Sequence, residues 1–337
     1  MFTIKLVQRS DERNYKVMNY TEYFKKIDAE IKKADSIVIL RHESPDPDAI
    51  GSQVGLREII RATYPEKTVY LLGEMPSSLT YIGEMDEITQ EQFDASLVIV
   101  LDCANTPRID CPFEVDPSKV IKIDHHPDRD MYGAISFVDT DSSSTSEMLC
   151  RFAFDDESTW TMSKEAANAL YAGIVGDTGR FLYPSTTTIT FSMVSKLLEF
   201  DVDISRIAYQ MITNPVSVSR LAGYIYQNME ISDNGVAATV LTQEHLKTYG
   251  IEEDQTHGVI SLPSTVEGIR CWGLFVEQPD GTYRVNLRSK GPIVNTIAQN
   301  HGGGGHPLAS GAVVTTLDEV QQIVSELNDS AKEFLNK

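Results

Sequence analysis

Cysteine is scarce and dispersed: the 337-residue chain has four, Cys103, Cys111, Cys150 and Cys271, with no CxxC pair among them. That spacing excludes a thiolate zinc module and argues against a disulfide framework, leaving free structural thiols. Long apolar runs are also missing. No stretch reaches the length of about 18 apolar residues that a membrane span needs, and the N-terminal MFTIKLVQRSDERNYK lacks the apolar core of a secretory signal. A cytoplasmic location without membrane contact is therefore expected. Positive charge is in deficit, with 29 lysines and arginines against 49 acids and a net charge of −20. Long duplex nucleic acid, which needs a basic stripe, is thereby excluded as a partner. A small anionic substrate stays compatible if bound cations invert the local field.

What is present reads as an α/β protein. Hydrophobic residues make up 41% of the chain, and the length favours two domains. In the first half, β-branched runs alternate with amphipathic stretches: SIVILRH (36–42), AIGSQVGLREIIRAT (49–63), TVYLLG (68–73), SLVIVLD (96–102) and KVIKID (119–124). This pattern predicts a mainly parallel sheet with flanking helices, and ligands at the carboxyl ends of its strands. SSSTSEMLC offers a capping box, with Ser144 three residues before Glu147, and SKEAANALYAGIVGD reads as a helix running to Asp177. Both segments read as scaffold. We expect a metal-binding domain at 1–190, a helical linker at 191–230 and a smaller α/β domain at 231–337. In the last, Pro279-Asp280-Gly281 marks a hairpin and a terminal helix lies near 317–335.

Three of the predicted strands end in polar ligand types: His42, Asp102, and the run Asp124-His125-His126. Within RHESPDPDAIGS the prolines keep the backbone extended before Ala49 starts a helix, so Asp46 and Asp48 face one side. A lone aspartate here would simply cap that helix. The company of His42 and the other strand-end groups favours a hard-cation site. The groups that can converge are His42, Asp46, Asp48, Asp102, His125, His126 and Asp177. Their carboxylates carry about −4 at neutral pH, which two divalent cations balance; without metal such close charges raise one another's pKa. Oxygen-rich ligation with some imidazole suits manganese first, with magnesium, cobalt or zinc as substitutes. Two such ions activate a water and neutralise phosphoryl oxygens, so phosphate-ester hydrolysis by hydroxide attack on phosphorus is the expected reaction.

At this point the sequence resembles the DHH phosphoesterases, and within them the subgroup with a C-terminal DHH-associated domain. HESPDPDAIGS, VLDCA, IDHHP and GIVGDTGRF match the four motifs in order, and NLRSKG and GGGGHPLASG match the second domain. The resemblance implies that His42 and Asp46 bind one metal, that Asp48, His125 and Asp177 bind the other, and that Asp102 bridges the two. It further implies that His126 contacts the scissile phosphate and that Asp124 orients the imidazoles as an outer carboxylate.

HGGGGHPLASG is a second device for an anion, since glycines let backbone N–H groups approach an oxyanion closely. By the resemblance, Arg288, Ser289, Gly303, Gly304, Gly305 and His306 grip the distal nucleotide. The expected activity resembles that of the nanoRNase group: hydrolysis of short oligoribonucleotides such as pApA, and of 3′-phosphoadenosine 5′-phosphate. The rivals are a cyclic di-AMP phosphodiesterase of the same family and a nucleotide-sensing module that binds without cleaving. Homodimerisation is suggested by the resemblance alone. His245 and His257 read as surface residues, Tyr224 and Tyr226 as packing, and Asn105 and Arg108, on the loop after Asp102, equally as substrate contacts or as ordinary loop groups.

Overall fold

β-branched and aliphatic runs build a sheet of five strands: β1 (Ser36–Leu40), β2 (Thr68–Leu71), β3 (Leu97–Leu101), β4 (Ile121–Asp124) and β5 (Ile135–Val138). The computed structural model describes residues 19–128 and 130–336. The N-terminal stretch read above for a secretory signal, and the side chain of His257, lie outside the described residues. The strand order is β2-β1-β3-β4-β5, and every pairing is parallel. Side chains alternate with period two. Ile37, Ile39, Ile99, Leu101, Ile121 and Ile123 lie in one core, while Val38, Leu40, Val100 and Val120 lie in another on the opposite face. The short, half-buried β5 is the strand that the sequence pattern does not announce.

The helices of this unit are α1 (Tyr20–Lys33), α2 (Pro47–Thr63), α3 (Gln90–Asp94), α4 (Thr145–Ala153), α5 (Lys164–Asp177), α6 (Thr188–Leu197) and α7 (Ile204–Ile212). Helix α2 starts at Pro47, two residues before the expected Ala49. Proline is favoured at the first helical position, where its missing N–H has no partner to lose. Helix α5 ends at Asp177 as expected.

The chain divides after Ile212. The helical stretch 191–230 is shared between the two units: α6 and α7 pack with α5, while α8 (Val216–Asn228) packs with elements of the second unit. There a six-stranded mixed sheet is built from β6 (Glu230–Ile231), β7 (Val236–Leu241), β8 (Cys271–Glu277), β9 (Tyr283–Ser289), β10 (Gly304–His306) and β11 (Ala309–Val314), in the order β10-β11-β9-β8-β7-β6. Only β7 and β8 pair in parallel. The expected hairpin joins β8 to β9 through Gly281, whose φ of +83° suits glycine.

Further helices are α9 (Gln243–Tyr249), α10 (Asn295–Asn300) and α11 (Leu317–Leu335). Phe275, Val285 and Leu287 share a core with Ile297 of α10 and Ile323 of α11, while Leu274 and Val276 share another with Leu221 of α8 and Leu246 of α9. His245 is not a plain surface residue. Its ring caps α9 through Thr242 and meets the Tyr224 hydroxyl at 2.9 Å. The four cysteines are free thiols. Among the described residues no helix is long and apolar enough to cross a membrane.

Candidate metal centre

The strand order places β2 and β3 on opposite sides of β1, so the chain reverses direction across the sheet between β1 and β3. A doubly wound sheet opens a crevice at that point, beyond the strands' carboxyl ends. His42 follows β1, Asp102 follows β3, and Asp124, His125 and His126 end β4. Asp102 adopts a left-handed φ of +52° while its N–H still bonds to the Ile123 carbonyl at 3.0 Å. The bend turns its carboxylate across the crevice, and aspartate tolerates it better than most residues.

Two ligand-type groups result. His42, Asp46 and Asp102 form one, Asp48, His125 and Asp177 the other, and in each the candidate atoms lie within 4.8 Å of one another. Asp102 stands between them, with Oδ2 3.5 Å from His42 Nε2 and Oδ1 3.5 Å from His125 Nε2. His125 Nε2 is also 3.1 Å from Asp177. His126 joins Asp102 and His125 in a third overlapping group, with Nδ1 3.4 Å from Asp102 and 2.9 Å from Asp124. All seven sequence-nominated groups therefore meet.

Backbone carbonyls set the rings. His42 Nδ1 lies 2.7 Å from Glu43 O, and His125 Nδ1 lies 3.4 Å from Ser142 O. Each contact assigns the Nδ1 proton to the carbonyl and turns Nε2 toward the carboxylates, the arrangement a metal-binding imidazole requires. Arg108, half-exposed, reaches Glu43 O at 3.2 Å beside His42. Asp46 resolves the choice between cap and ligand by doing both: Oδ1 accepts the Asp48 and Ala49 N–H groups at the start of α2, while Oδ2 lies 4.0 Å from His42.

The segment read as scaffold is the far wall of the site. Asp48, fully buried, accepts the N–H groups of Thr145 (2.7 Å) and Ser146 (2.9 Å) at the start of α4. The Thr145 hydroxyl donates to Asp102 at 3.1 Å. Only half of the expected capping box forms. Ser144 accepts the Glu147 N–H, but the buried Glu147 carboxylate accepts the hydroxyls of Ser142, Ser143 and Thr190 instead of returning to the cap. The sequence signal was there, in a run of hydroxyls ending in an acid. Its distant partner, Thr190, is set by the approach of α6, which no local pattern announces.

The fit to a cation is tested by the atoms left over. Asp102 Oδ2 is buried and has no hydrogen-bond partner among the described residues. A buried carboxylate oxygen without a hydrogen bond is costly unless a positive charge meets it. Without metal, protons fill that part. Burial opposes charge on His42, but its pairing with Asp102 and the charges of Asp102 and Asp46 carry it up to about 9. His125, despite its burial, is held well above the usual histidine range by Asp177 and Asp102. Desolvation, then the charges of Asp102 and Asp177, push Asp46 up to about 6; its side chain is 46% exposed, so solvent tempers this. Fully buried Asp48 goes well above the carboxylate range for the same reasons. Asp102 departs from the expected mutual rise. Burial would raise it, yet the three surrounding imidazoles hold it well below the ordinary value.

The DHH family N-terminal domain matches residues 36–174 and the DHHA1 domain matches residues 207–333. A Streptococcus mutans protein, named a probable bifunctional oligoribonuclease and PAP phosphatase NrnA, is 46% identical over 92% of this chain and 99% of its own length. The chain belongs to the DHH family. The bifunctional oligoribonuclease and PAP phosphatase NrnA of Bacillus subtilis is 41% identical over 89% of this chain and 96% of its own. The crystal structure of an exopolyphosphatase-related protein from Bacteroides fragilis superposes with a TM-score of 0.82 at 26% identity, covering 93% of this chain and 98% of that one.

In the DHHA1 domain the strand register sorts the remaining nominated residues. Arg288 pairs with Ala309 and Ala309 with His306, so Arg288 and His306 share one sheet face. Asn286, Gly311 and Gly304 form the next line on that face. Ser289 alternates to the other side, where its hydroxyl accepts the Gly291 N–H at 2.9 Å. The glycines differ too. A Cβ on Gly303 would lie 2.0 Å from the Gly311 carbonyl oxygen, and one on Gly305 2.6 Å from that of Ala309, whereas Gly304 opens onto space. Asn286, not nominated from the sequence, is 9% exposed, and its Nδ2 has no hydrogen-bond partner among the described residues. A polar residue in a strand of alternating apolar residues was the available signal.

Proposed function

We propose that this chain is a metal-dependent phosphoesterase that hydrolyses short oligoribonucleotides, pApA among them, and 3′-phosphoadenosine 5′-phosphate, in the cytoplasm. The observation that carries this reading is Asp102, which offers one oxygen to each of two imidazole–carboxylate groups, in a chain 46% identical to a full-length relative named for those activities. The donor set, carboxylate-rich with imidazole and without thiolate, suits manganese, with magnesium, cobalt or zinc as substitutes. His42 and Asp46 would hold one ion, Asp48, His125 and Asp177 the other, and Asp102 both. When bound, two such ions supply Lewis acidity toward phosphoryl oxygen and lower the pKa of water toward neutrality.

The chain's own groups do the rest. The Glu43 and Ser142 carbonyls orient the two ligand rings. Asp124 accepts the Nδ1 proton of His126, so Nε2 is the nitrogen that meets a phosphoryl oxygen and stabilises charge developing there. Arg288, Gly304 and His306 recognise the distal nucleotide, the first by its planar fork and the second by close backbone approach.

The test is a rate comparison in Mn²⁺ across pApA, other short RNAs, 3′-phosphoadenosine 5′-phosphate and cyclic di-AMP, with loss of each substrate and the identity of its product as the readout. Turnover of the linear substrates and the bisphosphate is expected to exceed that of cyclic di-AMP. Bound but uncleaved pApA would instead identify a sensor. Asp102→Ala is expected to lose at least about 10³-fold in kcat, since an unbalanced two-ion site cannot be held; full activity in that variant would rule out the two-ion account.

A further inference from the structure

Lys122 stands where the pattern of β4 calls for an apolar side chain. Its strand neighbours Ile121 and Ile123 lie in one hydrophobic core. Lys122 and Asp124 alternate to the other face, and both side chains are fully buried, at 0% exposure. A buried ammonium persists only where charge and hydrogen bonds compensate it.

The compensation comes from two turns of the site. The Lys122 ammonium donates to the Asp128 carboxylate at 3.0 Å and to the Ala104 carbonyl at 3.3 Å. It stands 4.5 Å from the centre of the Tyr132 ring, whose hydroxyl donates to the Cys103 carbonyl at 2.7 Å. It also lies 3.7 Å from Asp124 Oδ2. That oxygen is buried and has no hydrogen-bond partner among the described residues. The other oxygen, Oδ1, takes both the backbone N–H (3.1 Å) and the Nδ1 (2.9 Å) of His126. The ammonium therefore ties the turn after β3, which carries Asp102, to the turn after β4, which carries Asp124 and both histidines.

We propose that Lys122 is a positioning residue: it fixes the Asp124 carboxylate and, through it, the ring of His126 against the substrate phosphate. The last clause rests on the phosphoesterase reading; the orientation of the ring does not. The ordinary alternative is a buried ion pair that serves the fold alone.

Lys122→Met removes the charge at similar volume, but the two acids it leaves behind can unfold the chain. Lys122→Met/Asp128→Asn removes one charge of each sign and leaves the net charge of the cluster unchanged. For the folded double variant, checked by thermal unfolding, kcat on pApA is expected to fall about 10- to 100-fold. KM and the calorimetric Mn²⁺ dissociation constant should move less than about threefold. The ¹⁵N spectrum of the His126 imidazole, recorded with Mg²⁺, should lose its Nδ1–H signature. Wild-type kcat with an unchanged His126 spectrum would overturn the proposal. So would a loss of Mn²⁺ affinity in proportion to kcat, which would put the lysine's effect on the metal ligands. If the wild-type chain does not cleave pApA, the phosphoesterase reading fails separately, and the imidazole spectrum still decides whether Lys122 orients His126.

Discussion

Asp102 concentrates the problem that this site solves at the scale of one residue. Its carboxylate is 1% exposed, its backbone is left-handed, and three imidazoles surround it. Sparsely populated backbone at a buried acid persists only where its surroundings over-determine it. Here the strand pairing to Ile123 and the Thr145 hydroxyl do so. The glycine loop shows the converse, since residues of one type carry different duties. Gly303 and Gly305 are required by the close approach of β11, and Gly304 is not. Gly304→Ala is therefore expected to melt within about 2 °C of wild type and to raise KM for dinucleotides at least about fivefold. Arg288→Ala and His306→Ala should raise it likewise, with hydrolysis of a small chromogenic diester little changed. Gly303→Ala should instead lower the melting temperature. Equal loss on both substrates would count against a recognition role for this face.

At the scale of elements, the site depends on how closely α2 and α5 cross. A Cβ on Gly51 would lie 2.5 Å from the Ala169 carbonyl oxygen, and one on Gly173 would lie 2.0 Å from Ser146 Oγ and 2.8 Å from Asp48 Oδ1. Both glycines are thus absences that let three helices meet: α2 brings Asp48, α5 brings Asp177, and the N-terminus of α4 closes on Asp48 with two N–H groups. Gly173→Ala inserts a methyl group into the Asp48–Ser146 contact. Overpacking of this kind costs about 1–3 kcal/mol, which urea unfolding of the metal-free chain would register. The same variant should bind Mn²⁺ more weakly, because Asp48 must move. Undiminished stability would show that the crossing has slack.

For the whole molecule, the acid-rich site makes metal-free stability depend on pH with a definite sign. His42 rises from 6.5 to about 9 in the folded chain. Its contribution is therefore fully present below pH 6.5 and is lost as pH climbs through 9. Asp46 rises from 3.8 to about 6, so the folded state holds this proton more tightly, and that contribution too fades as pH rises through 6. Both act in one direction. In chelator, the melting temperature is expected to fall between pH 6 and pH 9. Mn²⁺, which replaces the protons, should raise it more at pH 8.5 than at pH 6. A chelated protein that grows more stable across that interval would contradict the balance of charge inferred for the site. The net charge of −20 adds general repulsion; high salt screens that repulsion, so the metal-dependent difference measured there isolates the cluster.

The sequence by itself determined a good deal. β-branched and aliphatic runs announced β1 to β4, since strands covered on both faces are apolar along their length. The strand-end positions of His42, Asp102 and Asp124 to His126, together with Asp46, Asp48 and Asp177, announced the converging acids and imidazoles, because a parallel sheet sends its strand ends to one edge. Only the tertiary structure decided what depends on the approach of distant segments. It made SSSTSE a wall of the site, because Thr145 and Ser146 meet Asp48, 97 and 98 residues away. It set His306 on the face of Arg288 through strand register, and it separated Gly304 from its neighbours by what lies across from each. It placed the Lys122 charge against Asp124 inside the fold. Local pattern fixes which way a side chain points. What it meets there is set by packing, and packing energies belong to pairs of segments rather than to either one.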